Sequence, residues 1–159
     1  MVIAQIKAVE AERDALFASA PADTTAPAPL LAALKGIGPE SAAVFAAEGL
    51  YRHFDNRRQL AAYAGLAASP WQSGSIDHEQ GVSHAGNPRL RTAMLQLAWL
   101  WLQHQPTSAL SLWFKTRLQQ NNGRMKKVLI VALARKLLVA FWKYVTAGVV
   151  IEGAVMTAA

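Results

Sequence analysis

At 159 residues the chain has room for one core-forming domain with an appendage, and too little for two ordinary domains. It contains no cysteine, which excludes disulfide scaffolds, thiolate zinc sites and cysteine nucleophiles. The net charge of +6 is unevenly spread. Residues 1–50 carry three basic side chains (Lys7, Arg13, Lys35) against six acidic ones, a balance of −3, whereas residues 51–159 carry thirteen against four, a balance of +9. That asymmetry favours a polyanion partner for the C-terminal two-thirds, with a solvated basic face as the plainer alternative.

Hydrophobic residues make up 53% of the chain, so its helices must bury much of their surface or assemble with partners. Glu10, Glu12, Arg13 and Asp14 interrupt any apolar core of a signal peptide. The apolar stretch Val128 to Val145 carries Arg135, Lys136 and Lys143, and central charges of that kind favour a buried helix over a membrane span. The expected location is therefore the cytoplasm, with no membrane partner.

The chain begins with a heptad-like helix over residues 2–17, with Val2, Ile6, Val9 and Leu16 at alternating spacings and Arg13 in the remaining slot. Two heptads are marginal alone, so residues 1–20 read as the end of a longer coiled coil or a partner-dependent arm, and a homo-oligomer through this helix is expected. Residues 21–29 are a Pro/Ala/Thr linker that cannot continue the helix.

A compact helical domain is expected over residues 30–147, making the fold class all-α. Leu30 to Leu34 precede Gly36-Ile37-Gly38, and Pro39 opens a helix that ends at Gly49. Asp55 or Asn56 caps a second helix that ends near Gly65. Residues 66–86 lack helical periodicity and are rich in Gly and Ser, and loops of that length tend to be functional. Asn87 with Pro88 starts a helix running to about His104. Two further helices, over about 107–120 and 124–147, are separated by Asn121-Asn122-Gly123, and residues 148–159 read as a flexible tail.

Five clusters bear weighing for chemistry. Leu31 to Ala42 fits a helix-hairpin-helix in which Gly36 and Gly38 allow close approach to a phosphate, and an ordinary helix-helix turn is the alternative. Ser73-Gly74-Ser75 is either a turn former or a nucleophile. His78, His84 and Asp77 lie near it in sequence, but no Gly-x-Ser-x-Gly elbow is present. Asp77-His78-Glu79 is better read as a solvated turn than as a metal site, because consecutive side chains point apart. Arg89 and Arg91 in a first helical turn oppose the macrodipole, so they face phosphates or a carboxylate, or are plain surface charge. The cluster Gly123-Arg124-Met125-Lys126-Lys127 is a candidate nucleic-acid contact that includes Lys126, and its Arg124 and Lys127 lie with Arg135 near one side of the last helix, opposite an apolar face. The aromatics Trp99, Trp101, Trp113, Phe114, Phe141, Trp142 and Tyr144 read as core in preference to a base-stacking platform.

Four blocks in order then give a resemblance: Leu34-Lys35-Gly36-Ile37-Gly38-Pro39; Phe54 through Ala61-Ala62-Tyr63-Ala64-Gly65-Leu66 to Ser73-Gly74; Val82-Ser83-His84-Ala85-Gly86-Asn87-Pro88-Arg89-Leu90-Arg91; and Gly123 through Lys127-Val128 to Ala134-Arg135-Lys136-Leu137-Leu138. This arrangement resembles the C-terminal domain of the insertion-sequence one-hundred-and-ten family of transposases, bridge-RNA-guided DNA recombinases. The resemblance implies that Ser73 is a nucleophile forming a covalent phosphoserine link to DNA. It implies that Arg89, Arg91, Arg135 and Lys136 are basic positions contacting phosphate or supporting the fold. DNA, and a guide RNA, are the implied partners, in a nucleoid-associated setting. His84 departs from the lysine of many relatives, which makes any phosphate contact there pH-dependent.

The family joins this domain through a coiled coil to a RuvC-like nuclease domain whose acidic residues hold Mg²⁺. No four-carboxylate constellation is found in residues 1–159, so no cofactor is expected in this chain, and Met1 falls inside what resembles the coiled coil. The expectation is a fragment or remnant that binds nucleic acid and is inactive alone. A non-catalytic helix-hairpin-helix binding module is the alternative.

Overall fold

The computed structural model describes residues 2–18, 27–49, 53–67 and 86–157. The described residues form helices α1 (Val2–Ala18), α2 (Pro27–Ala32), α3 (Pro39–Glu48), α4 (Arg57–Tyr63), α5 (Pro88–His104), α6 (Ala109–Gln120) and α7 (Lys126–Ala147). The all-α class follows, and none of these helices is long and apolar enough to cross a membrane.

The boundaries are set by local chemistry. The Asn56 side chain accepts a hydrogen bond from the Gln59 amide and starts α4. Asn87 accepts from the Arg89 and Leu90 amides and starts α5. Ser108 caps α6 by accepting from the Ser111 amide. Gly49 closes α3, and Gly148, at φ 68°, closes α7 in the left-handed conformation.

Helix α7 is the post around which the others gather. It buries Leu129, Ile130, Leu133, Ala134, Leu137, Leu138 and Phe141, a stripe at spacings of one, three and four. The helix packs against α5, α6, α4 and α2. At the centre the Phe141 ring meets Phe45 of α3 edge-on, with centroids 5.7 Å apart, and Trp101 of α5 at 5.8 Å. Trp101 also donates from its indole nitrogen to Ser108 Oγ at 2.8 Å, which satisfies the one polar atom it takes into the core.

The C-terminal segment differs from the flexible tail expected from its small residues. Ile151 is buried in the core, and Leu34 pairs with Met156 in an isolated antiparallel bridge. Lys35 donates its amide to Val155, and Thr157 donates to Ala33. Gln105, only 1% exposed, ties these pieces together. Its amide nitrogen donates to the carbonyls of Lys35 and Val155, and its oxygen accepts from the Val155 amide. A buried amide left unpaired costs more than its bonds return, so the tail is held in place by the satisfaction of Gln105.

Helix α1 stands apart from this core. It touches α3 and α2, while Val2, Ile3, Ile6 and Val9 stay half or more exposed.

Phe141→Ala removes the ring shared by three helices and leaves a cavity at the core's centre. The expected loss is about 3–5 kcal/mol of unfolding free energy, read from urea denaturation at an unchanged m-value.

Candidate nucleic-acid interface

Helices α4 and α7, with the start of α6 and residues 149–152, line a groove of about 920 Å³. Its small-residue lining comes from Ala61, Ala62, Ala67, Ala109 and Ala140. Its charged edges are Arg57 and Arg58 from α4 and Arg135, Lys136 and Lys143 from α7, against the single carboxylate of Glu152. No ion pair among the described residues involves any of these five cations. Lys136 Nζ instead sits 4.7 Å from the Trp113 ring centroid, a cation–π contact that holds it in position. Arg57 and Arg58 occupy the first turn of α4, where the macrodipole disfavours positive charge. An anion in the groove reverses that penalty.

The electrostatic background strengthens this reading. From Pro88 to Ile151 the sequence carries ten Lys and Arg residues and no Asp or Glu. Helices α5, α6 and α7 therefore form a cationic surface with no internal counter-charge, the arrangement that attracts a polyanion.

A clamp joins Gly86 and Asn87 to the end of α4, and Ala67 lies in the groove. Gly86 has φ 114°, and a Cβ built there lies 2.5 Å from the Tyr63 carbonyl oxygen and 2.7 Å from that of Ala62. The Asn87 amide donates to the same Tyr63 carbonyl at 2.6 Å. The Asn87 side chain caps α5 with its oxygen and donates from its nitrogen to Glu48 Oε2 at 2.8 Å and to the Tyr63 hydroxyl at 3.1 Å. One residue thus joins α3, α4 and α5. Arg89 completes the cluster, 3.4 Å from the other Glu48 oxygen. The Asn87 hydrogen bond, aided by Arg89, holds the Glu48 carboxyl below the usual carboxylate range despite opposing desolvation.

The residues singled out from sequence fall into separate places. Arg135 lines the groove. Arg89 is mostly exposed and faces the Glu48 carboxylate, and Arg91 is half-buried with an Nε that has no hydrogen-bond partner among the described residues. Arg124, Lys126 and Lys127 are exposed together at the start of α7, away from the groove lining. Gly36 takes φ 96°, and a Cβ there meets His104 Cβ at 2.7 Å, so this glycine serves helix packing; nothing lies within 4 Å of one at Gly38. Ser73, Gly74, Ser75, Asp77, His78, Glu79 and His84 lie outside the described residues.

Reading the sequence missed Arg57, Arg58 and Lys143, and it missed the Glu48–Tyr63–Asn87 clamp. The argument that singled out Arg89 and Arg91, cations in a helical first turn, applies equally to Arg57 and Arg58 and was the available signal. The aromatic residues divide. Trp101, Phe114 and Phe141 are core, whereas Trp99 is 47% exposed.

The groove sets five cations against one carboxylate, a charge balance that suits an anionic ligand. Comparison with known proteins gives the family. Residues 28–113 match the model of the transposase IS116/IS110/IS902 family, and the chain belongs to that family. A protein of Sinorhizobium fredii named as a transposase, y4rJ, is 71% identical over 98% of this chain and 41% of its own length. The transposase for insertion sequence element IS1111A of Coxiella burnetii is 33% identical over 71% of the chain and 31% of its own length. The pilin gene-inverting protein of Moraxella bovis is 35% identical over 70% of the chain and 34% of its own length. The chain thus spans about two-fifths or less of the length of these relatives.

Two outcomes are expected. Gly86→Ala forces a left-handed alanine against two backbone carbonyls, and thermal and urea unfolding should show a loss of about 2 kcal/mol or more. Glu48 has a folded-state pKa below its unfolded one, so its contribution is present above the unfolded pKa and fades as pH falls through the folded value. Glu48→Gln should therefore flatten the acid limb of the stability-versus-pH curve relative to the parent chain while leaving its neutral-to-alkaline shape unchanged.

Proposed function

We propose that this chain is the DNA-handling part of an insertion-sequence transposase, holding a DNA backbone in the α4/α7 groove and supplying a serine nucleophile, Ser73. The observation that carries the reading is the convergence of Arg57, Arg58, Arg135, Lys136 and Lys143 on one groove that also contains Ala67, the residue before the Ser73-bearing stretch. Phosphates neutralised along such a groove release counterions and give strong, salt-dependent binding.

Ser73 is assigned by the family resemblance of its block. Its Oγ attacks a phosphodiester phosphorus and displaces a deoxyribose oxygen, which takes up a proton as the serine loses one. The phosphodiester becomes a phosphoserine ester, so a DNA hydroxyl can reverse the exchange without an external energy source. A RuvC-like partner domain with Mg²⁺ and a guide RNA belong to the same reading, as does nucleoid association. Exposed Val2, Ile3, Ile6 and Val9 support self-association through α1.

A second reading, a helix-hairpin-helix module that binds without chemistry, draws on the α2–α3 hairpin. Helix α3 starts at Gly38 without a side-chain cap, and Gly38 itself is open to approach.

The experiment measures duplex DNA binding across a salt series and covalent trapping on nicked DNA, with the full chain and a complementing nuclease domain. Arg57→Ala, Arg135→Ala and Lys143→Ala should each weaken binding and reduce the salt slope by about one. Ser73→Ala should keep binding and abolish the adduct. An adduct that survives Ser73→Ala overturns the nucleophile, and binding without any adduct from the parent chain favours the hairpin module.

A further inference from the structure

The α7 start presents a second cationic surface, built around an exposed tryptophan. Helix α5 buries Leu90, Met94, Leu97, Ala98 and Trp101, and Trp99 falls off that stripe with 47% of its surface in solvent. Lys126 Nζ lies 5.4 Å from the Trp99 ring centroid. Arg124 and Lys127, also exposed, flank Lys126 in sequence.

The turn that presents these cations is held in unusual backbone geometry. Asn122 at φ 54°, Gly123 at 77° and Met125 at 63° are all left-handed, and Met125 is 55% exposed. A left-handed methionine that gains little from burial is strained without a packing reason, and such strain concentrates at binding sites. The turn is nonetheless pinned: the Gly123 amide donates to Leu118, the Arg124 amide to Asn121 and the Leu129 amide to Met125. With no carboxylate anywhere between Pro88 and Ile151, nothing on these three helices competes with an incoming phosphate.

An indole ring half in solvent, with the Lys126 ammonium over one face and the exposed Arg124 and Lys127 near Lys126 in sequence, matches a nucleotide whose base is unpaired. The base has a π-face for the ring, and its flanking phosphates suit the cations. A base inside a duplex is already stacked and offers only the phosphates. We propose that the Trp99–Lys126 surface binds an unpaired nucleotide of a single-stranded nucleic acid, stacking the base on Trp99 and holding its phosphates with Arg124, Lys126 and Lys127. This rests on the nucleic-acid reading above but needs neither the groove nor Ser73.

The test uses the full chain, a labelled oligothymidine and a blunt duplex of equal length, with binding followed by fluorescence anisotropy. Trp99→Ala should weaken oligothymidine binding about tenfold and change duplex binding by less than about twofold. Trp99→Phe keeps an aromatic face and should recover most of the loss. Lys126→Ala should weaken binding of both and lower the salt slope by about one. Trp99→Ala weakening neither nucleic acid, or both alike, overturns the stacking site. So does a loss of self-association in place of oligothymidine binding, which would make the surface a contact between copies. An Arg57→Ala/Arg135→Ala variant separates the two readings. If it loses duplex while Trp99→Ala leaves oligothymidine untouched, the stacking site alone fails. If the parent chain binds neither nucleic acid at low salt, both fail.

Discussion

Burial of α7 is the constraint from which the remaining arrangement follows. Its stripe from Leu129 to Phe141 meets α5, α6, α4 and α2, and the Phe141 ring is already committed to Phe45 and Trp101. A helix with that stripe turned inward has one rotational setting. In it Arg135, Lys136 and Lys143 emerge along the edge that faces α4. Core packing and charge placement are thus one decision, because a rotation that moved the cations would expose leucines worth about 1.5–3 kcal/mol each on burial.

Polar side chains do the joining that apolar packing leaves unspecified. Gln105 connects the turn after α2, the end of α5 and the C-terminal segment through three hydrogen bonds. Asn87 connects α3, α4 and the start of α5. Each is an amide whose donors and acceptor are shared among segments distant in sequence, and each fixes relative position in a way a leucine cannot.

Helix boundaries were legible in the sequence because they are local. Pro39 with Gly49, Asn56, and Asn87 with Pro88 each mark an end by a short-range effect, and the observed helices stop within a residue or two of those marks. The α7 cations were visible as a charged run, but their grouping with Arg57 and Arg58 depends on a helix some seventy residues earlier in the chain. The C-terminal segment misled for the same reason. Glycine, alanine and threonine near a terminus give no periodic signal, and the partner that orders them is a buried amide whose role exists only after folding. Trp99 was grouped with the core aromatics because composition cannot say which side of α5 it occupies.

The absence of carboxylates from Pro88 to Ile151 also bears on how the fold endures. Nine like charges on three packed helices, with Arg124 in the turn between two of them, repel one another more in the compact state than in the extended one. A polyanion relieves that repulsion and binds the folded chain in preference to the unfolded one, so occupancy and stability rise together. Under the function proposed above, the nucleic acid is then the counter-charge of the native state as well as its target. Resistance to proteolysis then becomes a property of the complex, greatest when the chain is engaged and least when it is idle.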